Sequence, residues 1–463
     1  MATFSLAEIL KATGGSIVKE GSKKICTSVS IDSRKIEQDS LFIAIKGENF
    51  DGHKFTKKAA EQGAVAVLVS DEKVIVNDDT TIILVKTDTL DALQKLARYH
   101  RLRFNIPVVS ITGSNGKTTT KDLVASLLKE KFNVLKTIGN QNNEIGLPLT
   151  LLNITEEHQI VVTEFGMRGK GQIKELAEIA MPNLAIITNV GDTHIELLGS
   201  KENIASAKSE LVEAINKDGT VFLNADDELV KEMTKQTKAK VVLFGINSKD
   251  ADLKAENIAY DTETLHTSFD IRTKTETFNI TMPLLGVHNV YNALAAISLA
   301  KELNLNNNDI QRGFLKDINH TKMRQEISSK GTITIINDTY NASPASMKAA
   351  LETLSLLNTG RKIAVLGDML ELGENSIKYH QEIGTLVYEN NIDILVTLGP
   401  LAENIAQKAS SLGLKNIYKC VAHEDAKKIL IDIIKPYDNI LFKGSRGMQM
   451  EKIIEMINFE LIK

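Results

Sequence analysis

The segment Gly113-Ser114-Asn115-Gly116-Lys117-Thr118-Thr119 combines the residue types that hold a polyphosphate. Glycines let backbone amides approach phosphate oxygens, and the amino end of a following helix adds a partial positive charge. In such a loop Lys117 reaches the β- and γ-phosphates, and the Thr118 hydroxyl can bind Mg²⁺. The usual spacing asks for glycine at position 111, where this chain has Ile111. The pattern therefore predicts a shortened phosphate loop, with a glycine-rich turn and an incidental lysine as the alternative.

Two more side chains are candidates for a metal bound beside the phosphates. Mg²⁺ prefers oxygen ligands, usually one or two carboxylates. Glu164 ends the apolar run IVVTE, and this places it at the carboxyl edge of a predicted sheet, where ligands collect. His194 follows the next apolar run, in NVGDTHIE. Alone, Glu164 could be a solvated strand end and His194 a structural loop residue.

Other nucleotides are less favoured by the motifs. A GTPase needs Asn-Lys-x-Asp, and the nearest match, Asn216-Lys217-Asp218-Gly219, lacks the final aspartate. No G-x-G-x-x-G sequence follows a predicted strand, so nothing indicates NAD.

The middle of the chain alternates apolar strands with amphipathic helices. PVVSIT, IVVTEF and LAIITNV are each followed by a helical pattern, which favours parallel βαβ units buried on both faces. Residues 250–283 break this rhythm with threonine-rich alternation, which predicts an antiparallel edge. The polar run from Asn306 to Asp309 is interpreted as a helix-ending loop.

The flanking blocks repeat the α/β pattern. Strands are predicted at 41–45, 64–69 and 81–85, and Asp88 is expected to cap the helix that follows. After position 320, strand and helix patterns alternate again, as in an open dinucleotide-type sheet. The sequence thus predicts three α/β domains: 1–104, 105–319 with a central parallel sheet, and a Rossmann-like 320–463.

Composition excludes several classes of protein. The 463 residues carry 55 basic and 59 acidic side chains, and a net charge of -4 argues against a nucleic-acid-coating protein. Two cysteines are too few for a disulfide framework or a structural zinc site. We find no signal-peptide pattern and no apolar run of the ~18 residues that a membrane span needs. The expectation is a soluble, cytoplasmic protein.

The order of the motifs resembles the Mur ligase family, the ATP-dependent amide-forming enzymes of peptidoglycan precursor assembly. ITGSNGKTTTK matches the family phosphate loop, including its shortened spacing. NQNNEIGLPLTLL, TEFGMRGKGQI, ITNVGDTHIELLGSKENIASAKSEL, GVHNVYNALAA and NDTYNASPASM follow in the family order, so the resemblance covers essentially the whole chain.

Several segments are similar to one member, which adds D-alanyl-D-alanine to a UDP-linked tripeptide. These are NNEIG-x-P, DTYNASPASM, LGDMLELG and LFKGSRGMQME. IDSRKIEQDSLFIAIKGENFDGHKF is similar to the UDP-substrate segment, and the Asp-Asn-Pro-Arg motif of the preceding enzyme does not occur.

The resemblance implies roles for residues in all three domains. ATP would be bound by Gly113, Ser114, Asn115, Gly116, Lys117, Thr118, Thr119, Asn289, Arg324 and Asp338. One or two Mg²⁺ ions would be held by Thr118, Glu164, His194 and a carbamylated Lys208; Lys117, His194, Lys208 and Arg324 would be catalytic. UDP-sugar contacts would be Ser33, Arg34, Lys46, Asp51, Gly52 and His53, and the dipeptide side Asn341, Lys443, Ser445 and Arg446.

The implied reaction phosphorylates the terminal carboxylate of UDP-N-acetylmuramoyl-tripeptide. The amine of D-alanyl-D-alanine then attacks the acyl phosphate, giving the pentapeptide, ADP and phosphate. Such a monomeric enzyme would serve cell-wall synthesis, and through it cell shape and division. The alternatives are another Mur-like or folylpolyglutamate synthase-like ligase, or a non-catalytic nucleotide-gated binding protein.

Overall fold

Three sheets follow one another along the chain in the computed structural model, which describes residues 2–47, 50–316 and 321–459. They contain five, nine and six strands, and a two-stranded ribbon lies near the amino end. Helices separate most of the strands in each unit. The predicted three-domain α/β fold is confirmed.

The first domain is built on a mostly parallel five-stranded sheet. The strands of this sheet are β2 (Ser16–Lys19), β4 (Ser28–Ser30), β5 (Ser40–Ile43), β6 (Ala64–Val69) and β7 (Thr81–Leu84), and the two-stranded ribbon consists of β1 (Phe4–Ser5) and β3 (Ile25–Cys26). The helices of the domain are α1 (Leu6–Thr13), α2 (Thr56–Glu61) and α3 (Thr89–Arg101). The sheet order is β2-β7-β6-β5-β4, and only β2 pairs antiparallel. Asp88 caps α3 as predicted, because its carboxylate accepts a 3.1 Å hydrogen bond from the Leu90 amide.

The second domain has the largest sheet, ordered β16-β15-β14-β13-β12-β11-β8-β10-β9. Its strands are β8 (Val108–Thr112), β9 (Val134–Lys136), β10 (Ile160–Glu164), β11 (Leu184–Ile187), β12 (Thr220–Asn224), β13 (Lys240–Gly245), β14 (Leu253–Asp261), β15 (His266–Arg272) and β16 (Thr277–Met282). Its helices are α4 (Lys117–Leu128), α5 (Gly146–Leu151), α6 (Gln172–Ala180), α7 (Ile195–Leu198), α8 (Lys201–Glu213), α9 (Glu228–Glu232), α10 (Val287–Glu302) and α11 (Asn307–Leu315). The sheet ends in the predicted antiparallel edge, β14 to β16. Since β8 lies between β10 and β11, the strand order reverses there, and ligands of open sheets bind outside the strand ends at such a reversal.

The third domain repeats this design on a smaller scale. Its strands are β17 (Glu326–Lys330), β18 (Ile333–Asp338), β19 (Lys362–Gly367), β20 (Ile394–Leu398), β21 (Ile417–Cys420) and β22 (Asn439–Lys443), and its helices are α12 (Pro344–Leu356), α13 (Ser376–Glu389), α14 (Glu403–Ser411), α15 (His423–Ile433) and α16 (Glu451–Met456). The order is β17-β18-β22-β19-β20-β21, and only β17 is antiparallel.

The polar run at 306–309 begins a helix, so the prediction that it is a helix-ending loop was wrong. The Asn306 side chain accepts a 2.9 Å hydrogen bond from the Asp309 amide and caps α11. Asparagine is common both in loops and at helix starts. Burial of Ile310 and Phe314 in the apolar core, where α11 packs on α4, favours the helix.

The first two domains share one apolar core. Helix α3 packs against α5 and α6, so that Leu96, Leu147 and Leu176 lie in one buried cluster. Gln94 adds a 2.7 Å hydrogen bond from Nε2 to Glu175 Oε1. The continuous core orients the first domain on the second.

The predicted boundary between the second and third domains, 319/320, lies outside the described residues. The limits 1–104, 105–319 and 320–463 therefore stay a proposal. Within the described part of the chain, no helix is both long and apolar enough to cross a membrane.

Candidate active site

The phosphate loop connects the end of β8 to the start of α4. Gly116 has φ of +80°, in the left-handed region that glycine adopts without strain. A Cβ atom at Gly116 would lie 2.3 Å from Asn292 Oδ1, and one at Gly113 would lie 1.8 Å from Thr188 Oγ1. Both glycines are therefore needed for the loop to pack against its neighbours.

Lys117 is the first residue of α4, and its side chain folds back over the loop. Its Nζ donates hydrogen bonds to the carbonyl oxygens of Gly113 at 2.9 Å and Ser114 at 3.3 Å. Burial lowers the pKa of Lys117; the Glu164 carboxylate raises this pKa and Arg324 lowers it. Both acceptors are neutral, so a charged phosphate oxygen is a stronger partner for the same ammonium group.

Glu164 ends β10 beside the phosphate loop, where it pairs in register with Ile111 of β8. The carboxylate is 1% exposed. Its Oε1 accepts a 2.8 Å hydrogen bond from Asn142 Nδ2, whereas Oε2 has no partner among the described residues. A buried carboxylate oxygen without a partner is costly, and a cation would satisfy it.

The residues present fit a Mg²⁺ ion bound to a nucleotide. No group of three or more His, Cys, Asp or Glu side chains within the described ranges could hold a metal by itself. Mg²⁺ on phosphates keeps several waters and needs only one or two protein oxygens. Thr118 and the unpaired oxygen of Glu164 line the same cleft and supply that chemistry.

His194 lies in the loop before α7, with a left-handed φ of +65°. It lines the cleft, and its Nδ1 is 3.0 Å from Glu371 Oε2 of the third domain. Burial lowers the pKa of His194, although Glu371 acts in the opposite direction. The neutral ring that this favours is the form that binds metals.

Lys208 is a buried lysine on α8, only 2% exposed. No described residue forms a hydrogen bond or an ion pair with its Nζ. Burial lowers the pKa of Lys208 well below its usual value, and Lys117 lowers it further. A buried, unpaired amine with a depressed pKa is unusual for a structural lysine.

Two charged residues of the third domain meet at the ends of the parallel strands β18 and β22. Lys443 Nζ donates to Asp338 Oδ2 at 2.5 Å and to the Asn341 carbonyl at 2.9 Å. Lys443 is 1% exposed, and burial lowers its pKa against the opposing effect of Asp338. Its amine is therefore already engaged in orienting Asp338 and Asn341.

Arg324 reaches the cleft from the segment before β17. Its guanidinium carbon lies 4.1 Å from the centre of the Tyr340 ring, and its buried Nε has no partner among the described residues. Stacking on a ring fixes the plane of the group while leaving its N–H donors available to an anion.

Asn289, at the start of α10, is held by Gln325, a residue that no sequence motif indicates. Its Nδ2 donates to the Leu285 carbonyl at 2.8 Å and to Gln325 Oε1 at 3.1 Å. The same Gln325 oxygen lies 2.6 Å from His288 Nε2. Gln325 thus connects the third domain to the start of α10 in the second.

The UDP-side residues lie at the carboxyl ends of the strands of the first sheet. His53 Nε2 accepts a 3.0 Å hydrogen bond from the Ser70 amide, so its Nδ1 carries the proton and donates to Asp51 Oδ1 at 2.7 Å. At Gly52 a Cβ atom would lie 2.7 Å from the Ile45 carbonyl oxygen, which leaves no room for a side chain.

The other predicted UDP contacts differ in exposure. Ser33 is buried, whereas Arg34 and Lys46 are exposed. Arg34 forms two 2.9 Å hydrogen bonds with Asp32. All three follow β4 or β5, so they share one edge of the sheet.

Two residues predicted for the dipeptide side do not line the cleft. Ser445 is buried and accepts a 2.8 Å hydrogen bond from the Leu370 amide. Arg446 is exposed and pairs with Glu451 at 2.6 Å. The structure brings Asn341 and Lys443 to the cleft, but not Ser445 or Arg446.

One cleft of about 1240 Å³ joins the three domains. Its lining includes Leu90 of the first domain, the loop residues from Ser114 to Thr119, and Ser343 of the third domain. Pockets for one small molecule measure about 300–1,000 Å³, so this cleft has room for more than one ligand.

Family models match three consecutive parts of the chain. Residues 26–101 match the Mur ligase family, catalytic domain; residues 111–300 match the Mur ligase middle domain; and residues 323–446 match the Mur ligase, glutamate ligase domain. The chain belongs to the Mur ligase family. The assignment made from the sequence motifs is confirmed.

Individual Mur ligases cover nearly the whole chain. The UDP-N-acetylmuramoyl-tripeptide--D-alanyl-D-alanine ligase of Bacillus subtilis is 40% identical, over 97% of each chain. A crystal structure of MurF from Acinetobacter baumannii is 30% identical over 99% of each chain, with a TM-score of 0.91. The MurF ligase of Thermotoga maritima in complex with ADP is 32% identical over 94% of this chain and 97% of its own, with a TM-score of 0.82.

Proposed function

We propose that this Mur ligase joins D-alanyl-D-alanine to UDP-N-acetylmuramoyl-tripeptide at the expense of ATP, through an acyl phosphate. The observation that carries the proposal is the meeting, in one cleft, of a phosphate loop, the unpaired Glu164 oxygen and the Asp338–Lys443 pair. The names of relatives that match at full length support the same reaction and peptidoglycan synthesis.

The nucleotide would lie across the second and third domains. Backbone amides of the loop and Lys117 would bind its phosphates, Asn289 its base, and Asp338 its ribose. Arg324, stacked on Tyr340, presents N–H donors to the charge that develops on the transferred phosphoryl group. Thr118 and Glu164 would hold Mg²⁺, whose chemistry is to neutralise charge on the same group.

His194 and Lys208 would form a second cation site. The depressed pKa of Lys208 favours the neutral amine, which is the form that adds to CO₂ and releases one proton. The resulting carbamate would give the Lys208 side chain a negatively charged oxygen ligand, of the type that Mg²⁺ prefers, in place of its ammonium group. His194 and the carbamylated Lys208 would thereby hold a cation, whose chemistry is to offset the like charges of the tripeptide carboxylate and the γ-phosphate.

The two other substrates would enter from opposite domains. The UDP group would bind at the strand ends that carry Ser33 and Lys46. The start of α3 lies beside these strand ends, because Thr89 Oγ1 donates a 2.8 Å hydrogen bond to the Ala44 carbonyl. The next residue, Leu90, lines the cleft together with the phosphate loop. The peptide part of a UDP-tripeptide bound at this edge would therefore extend toward the phosphate loop. The dipeptide would bind near Asn341 of the third domain.

We further propose that the protein is a cytoplasmic monomer without a nucleic-acid partner.

The decisive experiment is a ligase assay with purified protein, ATP and Mg²⁺. UDP-tripeptides ending in meso-diaminopimelate or in lysine are compared, and pentapeptide formation and phosphate release are measured with and without D-alanyl-D-alanine. We expect phosphate release to require the dipeptide and to match pentapeptide formation with one of the two tripeptides. Lys117→Ala is the inactive control.

Two outcomes would favour the alternatives. Glutamate addition to a folate in place of dipeptide addition would indicate a folylpolyglutamate synthase-like ligase. Nucleotide binding without phosphate release under any substrate combination would indicate a binding protein.

A further inference from the structure

We propose that Tyr379 is a positioning residue for the ligation reaction, which holds the His194 loop from the third domain. The inference rests on the proposed function. The His194 loop is defined as residues 192–196, between β11 and the body of α7. Tyr379 belongs to α13 and is not among the residues that line the cleft.

The first observation is a polar contact across the domain boundary. Tyr379 Oη donates a 3.0 Å hydrogen bond to Asp192 Oδ1. Lys201 Nζ lies 3.2 Å from the same oxygen. Asp192 is thus held on one side by its own domain and on the other by the third domain.

Two more contacts join the same segments. Glu371 Oε2 lies 3.0 Å from His194 Nδ1. A Cβ atom placed on Gly373 would lie 3.5 Å from Glu196 Cβ, so the two backbones run close together. Three contacts from residues 371–379 therefore reach alternate residues of the His194 loop.

The loop needs such support because of its backbone. His194 adopts φ of +65°, which is unfavourable for a residue with a side chain and persists only where the surroundings hold it. Inside the second domain, the Leu197 amide bonds to the His194 carbonyl at 3.1 Å and the Ile195 amide to the Asp192 carbonyl at 3.2 Å. The Tyr379–Asp192 hydrogen bond from the third domain adds a side-chain restraint that these local turns lack.

The functional consequence follows from where the anchors originate. Because Tyr379 and Glu371 belong to the third domain, the His194 loop is fully held only when that domain is docked on the second. Partners that orient a ligating histidine usually change metal affinity or activity markedly when removed. Docking of the third domain would therefore complete the cation site and the site for the incoming amine together.

The test compares Tyr379→Phe with Tyr388→Phe, on the same helix. Phenylalanine removes only the hydroxyl, and Tyr388 is exposed, with no polar partner among the described residues. For Tyr379→Phe we expect kcat to fall about ten-fold while KM for ATP stays within about two-fold, the scale of one lost hydrogen bond to a charged group. Tyr388→Phe should match the wild type.

A second readout does not depend on turnover. Mn²⁺ is titrated by electron paramagnetic resonance into full-length protein with a non-hydrolysable ATP analogue and the UDP-tripeptide. Tyr379→Phe should bind Mn²⁺ several-fold more weakly than the wild type. The double variant Tyr379→Phe/Asp192→Asn should bind Mn²⁺ no more weakly than Asp192→Asn alone. If Tyr379→Phe and Tyr388→Phe agree in both kcat and Mn²⁺ affinity, the positioning role is overturned. If the wild type lacks ligase activity but Mn²⁺ binding still depends on Tyr379, the proposed reaction fails, while the inference that Tyr379 holds the His194 loop at a cation site stands.

Discussion

The Ser343 hydroxyl, in the third domain, donates a 2.9 Å hydrogen bond to Asn115 Oδ1 on the phosphate loop. Ser343 also caps α12, so the first turn of that helix is seated directly on the loop. Asn115 is itself held by the second domain, because its amide donates to Asn189 Oδ1 at 2.9 Å. Among the described residues, the Ser343–Asn115 hydrogen bond therefore couples the position of the third domain to the loop.

A double-mutant cycle on this pair should show coupling. We expect Asn115→Ala and Ser343→Ala each to lower kcat/KM for D-alanyl-D-alanine. The loss of transition-state stabilisation in the double variant should be about 0.5–1.5 kcal/mol smaller than the sum of the two single losses, which is the net value of one hydrogen bond. Ser343→Ala also removes a helix cap, which costs about 1 kcal/mol of stability. Asn306→Ala removes the cap of α11 away from the loop and is the matched control. Additive effects would show that the contact carries no functional coupling.

Lys117→Ala should abolish most turnover while leaving the fold intact. Within the described ranges, its ammonium donates hydrogen bonds only to the neutral carbonyl groups of Gly113 and Ser114, and it is placed to stabilise charge on the phosphoryl group. Loss of one such electrostatic donor typically costs about 10²–10³ in kcat. Phosphate release and circular dichroism measure the two effects, with Lys129→Ala, at the exposed end of α4, as the control. Near wild-type phosphate release would rule out this phosphate site.

Lys208→Ala should lose most activity, and formate or acetate should restore part of it. A small carboxylate can occupy the position that the carbamate would take and supply the missing oxygen ligand. Initial rates are measured with increasing formate, and with chloride at equal ionic strength as the control. A fully active Lys208→Ala enzyme would remove the case for a carbamate.

The stability of Lys208→Met should exceed that of the wild type in CO₂-free buffer at neutral pH. The pKa of Lys208 is lowered in the folded protein, so the unfolded chain binds more protons and wild-type stability rises with pH. The difference between the variants should therefore shrink as pH approaches about 10.4, the pKa of an unfolded lysine. Urea titrations across that range measure it. A pH-independent difference would contradict the buried, unpaired amine.

Variants of the first domain should separate the two nucleotide sites. Ser33→Ala and Lys46→Ala are expected to weaken binding of the UDP-tripeptide and to leave ATP affinity unchanged, because both residues lie at the edge of the first sheet. Isothermal titration calorimetry with each ligand measures this, and Lys57→Ala, exposed on α2, is the control. Equal loss of both affinities, or of neither, would show that the UDP site lies elsewhere.

The amino-acid sequence by itself determined the features that depend on neighbours in the chain. The alternation of apolar strands and helices, the cap at Asp88 and the phosphate loop are local patterns. Glu164 could be placed beside that loop because parallel strands end at a common edge. The same local reasoning failed at Asn306, since a polar run is compatible with the end or the start of a helix until packing is known.

Only the tertiary structure decided which distant residues meet. Ser343 and Asn115 are 228 positions apart, Tyr379 and Asp192 are 187 apart, and Lys443 and Asp338 are 105 apart. Spacing cannot predict such pairs, because the docking of whole domains brings them together. For the same reason, Ser445 and Arg446 follow directly after Lys443 in the chain, yet the turn after β22 directs them to Leu370 and Glu451 instead of the cleft.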